Sequence, residues 1–118
     1  MKRQRVYADY LHDIVEYSNK AMQFIQGIDF AAFQEDEEKT FAVVRALEVV
    51  GEAASHIPAS LRDKYPQIPW SRVTGMRNKI IHDYFGVDAE VVWKTVREDL
   101  PRLQEQVAEM LADLEPKL

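Results

Sequence analysis

Cysteine is absent from the 118 residues, which excludes disulfides and thiolate metal sites. No apolar run approaches the roughly 18 residues that a membrane-spanning helix needs. Strict alternation of apolar and polar residues is missing too, and so is any internal repeat, which argues against strands and solenoids. There is no glycine-rich phosphate loop and no nucleophile elbow. The three histidines, His12, His56 and His82, are scattered without the H-E-x-x-H or similar spacing of a metal site, so neither metal nor cofactor is expected. The acidic run Glu35-Asp36-Glu37-Glu38 reads as the solvated start of a helix, not as a cation site. A basic excess is lacking as well: 15 Lys and Arg stand against 20 Asp and Glu, for a net charge of −5. That balance speaks against holding long nucleic acid by bulk electrostatics, but not against meeting RNA at one local site. The opening Met1-Lys2-Arg3-Gln4-Arg5 is basic without an apolar stretch behind it, so the reading is a cytoplasmic chain with no signal peptide and no membrane contact.

What is present is helical periodicity. Length fits one domain, residues 1–118. A first helix is expected from about Arg5 to Gln26, with Val6, Tyr10, Leu11, Ile14, Tyr17, Ala21, Phe24 and Ile25 on one face and Gly27 as its stop. Tyr7, Tyr10 and Tyr17 fit core or interface better than a base-stacking platform. A second helix should run to about His56, starting at the acidic run or as early as Asp29. Prolines 58, 66 and 69 break the pattern, with one extra turn at Ala59 to Lys64. A third helix fits Trp70 to Tyr84 and is ended by Gly86. Asp88 then caps a fourth, reaching Leu114 with a kink or restart at Pro101. The expected fold class is all-α, an antiparallel four-helix bundle with a short extra helical turn before the third main helix.

Two helices carry possible chemistry. On the second, Val43, Ala46, Leu47, Val49, Val50, Ala53, Ala54 and Ile57 cover more than half the circumference at about 100° per residue. Arg45, Glu48, Glu52, Ser55 and Gly51 gather in the remaining stripe. That stripe either faces a cleft or consists of ion pairs along the helix surface. On the third, Trp70, Val73, Ile80, Ile81 and Tyr84 form an apolar face with Arg77 near its middle. A guanidinium there must be paired, with Glu48 or Glu52 as candidates, or must line a cleft. Asn78 and His82 stand four apart on an adjacent face, and Tyr84 points the same way as Arg77. These groups suit metal-independent RNA cleavage: imidazole moves protons near neutral pH, and guanidinium binds the scissile phosphate. From spacing alone, a structural role for His82 stands ahead of a catalytic one.

The string Arg77-Asn78-x-x-x-His82-x-Tyr84 matches the R-x4-H-x-Y signature of the HEPN superfamily, and Arg45-Ala46-Leu47-Glu48-Val49-Val50-Gly51-Glu52-Ala53-Ala54 resembles the second helix of HepT-like ribonuclease toxins. The resemblance covers nearly the whole chain. It implies a HEPN-like bundle forming a homodimer, whose paired motif helices make an RNase cleft with Arg77 and His82 as the catalytic pair and Asn78 as an auxiliary phosphate-binding group. It further implies a nucleotidyltransferase antitoxin of the MntA type that transfers AMP to Tyr84 and silences the toxin. Two other expectations remain: a non-catalytic module that presents a nucleotide or substrate to a nucleotidyltransferase, and a plain dimerising bundle with Arg77 salt-bridged to Glu48 or Glu52.

Overall fold

A computed structural model of the chain describes residues 2–76, 78 and 88–117, and among these every regular element is helical. Helix α1 spans Lys2–Phe24. Leu11, Ile14, Ser18, Ala21 and Ile25 recur at alternating steps of three and four and are all buried. That spacing keeps one seam against a neighbouring helix. The helix ends in a turn through Gly27, whose φ of +81° lies in the left-handed region that glycine enters without steric cost.

The second helix expected from the sequence is two. Helix α2 covers Phe30–Glu35 and α3 covers Glu37–Ser55, and each begins on its own aspartate. Asp29 Oδ1 accepts the Ala32 N–H at 2.9 Å, and Asp36 Oδ1 accepts the Lys39 N–H at 3.0 Å. Asp36 therefore closes one helix and opens the next, with Glu37 and Glu38 at the positive end of α3. The break lets Phe33 turn fully inward against the Trp93 ring, at 5.4 Å between centroids. Of the apolar set expected on α3, all but Val49 are buried. Gly51 departs from its expected stripe: it is buried, on the side of the core.

Helix α4, Ala59–Arg62, is the expected extra turn, and α5, Trp70–Thr74, opens the third arm. The last arm starts at Asp88, whose Oδ1 accepts from Glu90 and Val91 N–H, and runs as α6 (Ala89–Lys94), a π-helical turn (Thr95–Asp99) and α7 (Leu100–Leu114). The π turn is the form taken by the break expected at Pro101. Proline has no N–H to give the Arg97 carbonyl, and its ring crowds that carbonyl in a regular helix. Widening the preceding turn, with the Leu100 N–H reaching back to the Thr95 carbonyl, removes the conflict without ending the helix. Helix α7 then buries Leu100, Leu103, Val107, Met110 and Leu111.

Helix α1 packs along both α3 and α7, while α5 leans on α3 and α2 on α6. The arms share one cluster of buried apolar side chains. The third helix expected at 70–84 is described only through Met76 and at Asn78. No described helix is long and apolar enough to cross a membrane.

Candidate active site

The approach to the motif is built from a loop that could not fold by periodicity. Prolines at 58, 66 and 69 deny it backbone donors, so directed contacts position it instead. Trp70 Nε1 donates to the Tyr65 carbonyl at 3.0 Å, and the Tyr65 hydroxyl donates to the Asp113 carboxylate on α7. Gln106 Nε2 donates to the Gln67 carbonyl at 3.0 Å. The Asp113 hydrogen bond, with some burial and the carboxylate charge, pushes the Tyr65 hydroxyl up to about 12. Arg72 pairs with Asp99 of the π turn at 3.5 Å. Thus the loop before α5 is tied to α7, and α5 itself is tied at its middle to the π turn.

Trp70, Val73 and Met76 are buried, and Ile68 beneath them is as well. Trp70 and Val73 set the inward face of α5 against α3, and Met76 follows just past its C-cap at Gly75. Trp70 and Val73 were expected there; Met76 is an addition. Asn78, the auxiliary residue expected from the motif, is helical and exposed. Arg77, His82 and Tyr84 lie outside the described residues, as do Ile80, Ile81 and Gly86, and with them any contact between Arg77 and the carboxylates of α3.

The polar stripe of α3 is where the sequence put it, apart from Gly51. Arg45 meets Glu48 at 3.7 Å, and Glu52 meets Nε2 of His56 at 3.2 Å. These are the surface pairs that the three- and four-residue spacing allows. Arg45 points into solvent, with 73% of its side chain exposed, whereas Glu48 is at 26%. His56, the last residue of the α3 cap, stacks flat on Tyr10 of α1 at 4.6 Å, which gives that tyrosine a structural role. His12 pairs with Glu115 at 3.2 Å. Among the described residues no three His, Asp or Glu side chains converge as a metal site would require.

A cavity of about 530 Å³ opens between α5 and the last arm, lined by Arg72, Val73, Met76, Glu98, Arg102 and Leu103 among others. Sequence reasoning did not find it. Its two walls are far apart in the chain, Gln67 to Met76 on one side and Thr95 to Gln106 on the other, and the π turn sets Glu98 and Asp99 opposite α5. Pro101 was the one available signal.

The family model described as "Ribonuclease HepT-like" matches residues 14–110. The chain belongs to the HepT-like ribonuclease family. A protein of Thermococcus cleftensis named "Probable ribonuclease HepT" is 46% identical over 101 residues, which is 86% of this chain and 92% of that protein. A Methanocaldococcus jannaschii protein provisionally named an RNase is 40% identical over 108 residues, 92% of this chain and 93% of its own length. One from Caldanaerobacter subterraneus, named in the same way, is 39% identical over 102 residues, covering 86% and 91%. No solved structure matches. The HepT-like match spans the whole of α3, the cavity and the residues from Arg77 to Tyr84.

Proposed function

We propose that this HepT-like chain is a metal-independent endoribonuclease, the toxin of a toxin–antitoxin pair. The observation that carries the reading is the family match over 14–110 together with an intact Arg77-Asn78-x-x-x-His82-x-Tyr84 inside it. In the proposed reaction the ribose 2′-oxygen attacks the adjacent phosphorus and the bond to the 5′-oxygen breaks. His82 takes the 2′-hydroxyl proton or returns one to the departing 5′-oxygen. A homodimer that pairs two motif segments supplies two imidazoles, one for each task. Arg77 holds the phosphate and offsets the charge growing on its oxygens, with Asn78 beside it. No metal enters this scheme.

Silencing follows from the same groups. A nucleotidyltransferase antitoxin of the MntA type would join the α-phosphorus of ATP to the Tyr84 oxygen, with pyrophosphate leaving and the phenolic proton lost. The attached phosphate would then occupy Arg77 and block the groove. The chain would work in the cytoplasm, away from membranes.

The test is growth after induced expression without any partner, comparing the native chain with His82→Ala and Arg77→Ala. Arrest by the native chain alone, with cut RNA in the arrested cells, is the expected result. Equal growth of all three, with folded protein present, would reject catalysis. A second reading draws on the net charge of −5, which disfavours broad RNA affinity. It makes the chain a non-catalytic module that presents a nucleotide or substrate to a nucleotidyltransferase. In that case His82→Ala would keep the complex with the transferase, and purified protein would leave RNA whole.

A further inference from the structure

The cavity between α5 and the last arm has no part in the chemistry above. Its 530 Å³ accommodate a nucleobase with its sugar and phosphate. The floor is apolar: Val73, Met76 and Leu103 are all buried. Its polar groups fall into two sets. Arg72 and Asp99 satisfy each other across the cavity, and Gln106 ties the wall to the Gln67 carbonyl. Glu98 and Arg102 are exposed and make no hydrogen bond or ion pair among the described residues. Glu98 is held at the rim by the π turn, a distortion that recurs at functional sites.

A ligand complementary to this set has a flat apolar body, N–H donors for a carboxylate and an anionic group for a guanidinium. A nucleotide has all three. Guanine is the one common base with two adjacent N–H donors on its Watson–Crick edge, at N1 and N2, matching the two oxygens of a carboxylate. Gly75 and Met76 line the cavity, and Arg77 follows them in the chain. We infer that this cavity is a base-recognition subsite for an RNA nucleotide flanking the cut, in which Glu98 selects guanine and Arg102 meets a phosphate. The inference rests on the ribonuclease reading and gives that site its sequence preference.

Two measurements test it separately from catalysis. In an NMR titration of the native chain, guanosine 5′-monophosphate should shift the methyl resonances of Val73, Met76 and Leu103, with uridine 5′-monophosphate binding more weakly. Glu98→Gln, which removes one acceptor, should weaken the guanine nucleotide about tenfold and leave the uridine nucleotide unchanged. Arg102→Ala should weaken both alike. Sequencing the ends of cut RNA should show guanine enriched at one position beside the cut, and Glu98→Gln should flatten that enrichment. No shifts in the cavity, or an unchanged base profile in Glu98→Gln, would overturn the subsite. Guanine nucleotide bound there by a native chain that cuts no RNA would instead overturn the RNA source and the ribonuclease reading, leaving a site for the free nucleotide.

Discussion

The α1–α3 pair and the segment from Pro58 to Met76 are held in place by different physics. Between α1 and α3 the contact is apolar and continuous, with Leu11, Ile14, Leu47 and Val50 wholly removed from solvent. The connecting segment has two short helices and buries Ile68, Trp70, Val73 and Met76, and around that smaller apolar anchor its position depends on a few directed bonds: Tyr65 to Asp113, Trp70 to the Tyr65 carbonyl, Gln106 to the Gln67 carbonyl and Arg72 to Asp99. Close-packed volume resists substitution in proportion to what is removed. A hydrogen bond near the surface contributes only its small surplus over water. The frame of the molecule is therefore strong where the sequence is periodic, and adjustable beside the candidate site.

The sharpest break in that comparison is Leu47→Ala, which should cost about 2–5 kcal/mol by leaving a cavity in α3. Denaturant unfolding would read it as a lower midpoint at unchanged slope. Next come the ends of the frame helices. Asp36→Ala removes the cap of α3 and should cost about 1 kcal/mol. Gly27→Ala meets no neighbouring atom but must hold a positive φ, for a loss also of about 1 kcal/mol, seen in the same unfolding experiment.

The connecting segment should respond less, and with a pH signature. Tyr65→Phe should cost no more than about 1 kcal/mol near neutral pH, because the bond lies at the surface. In the native chain the Tyr65 hydroxyl titrates higher folded than unfolded, at about 12 against an ordinary 10. Its contribution is fully present below the unfolded value and is lost as pH rises through the folded one. Thermal melts from neutral to alkaline pH should show the native chain losing its advantage over Tyr65→Phe in that window. A constant gap would remove the Asp113 bond as its cause. The smallest effect has the opposite sign. Ser18 is fully buried in the α1 seam, and its Oγ has no hydrogen-bond partner among the described residues. Ser18→Ala should therefore be neutral or stabilising by a few tenths of a kcal/mol.

These differences match what could be read in advance. The apolar faces of α1 and α3, the stop at Gly27, the caps Asp29 and Asp88 and the extra turn after Pro58 follow from local chemistry, since each needs only neighbours within a turn or two. The pairing of Arg45 with Glu48 is legible in the same way. The division of the second helix was missed because a run compatible with helix gives no warning that Asp36 will close one and open another. The motif itself was legible only by resemblance: spacing alone leaves Arg77 and His82 as one cation and one imidazole.

The sequence by itself determined an all-helical chain, its caps and breaks, and through the motif its place in the HepT-like family, because backbone propensity, capping and apolar period act over a few residues. Tertiary structure alone decided that Tyr65 reaches Asp113 from 48 positions away, and that Glu98 and Arg102 share a cavity with α5. Those contacts join segments far apart in the chain, and they exist only once the packing of α1, α3 and α7 has fixed where each segment lies.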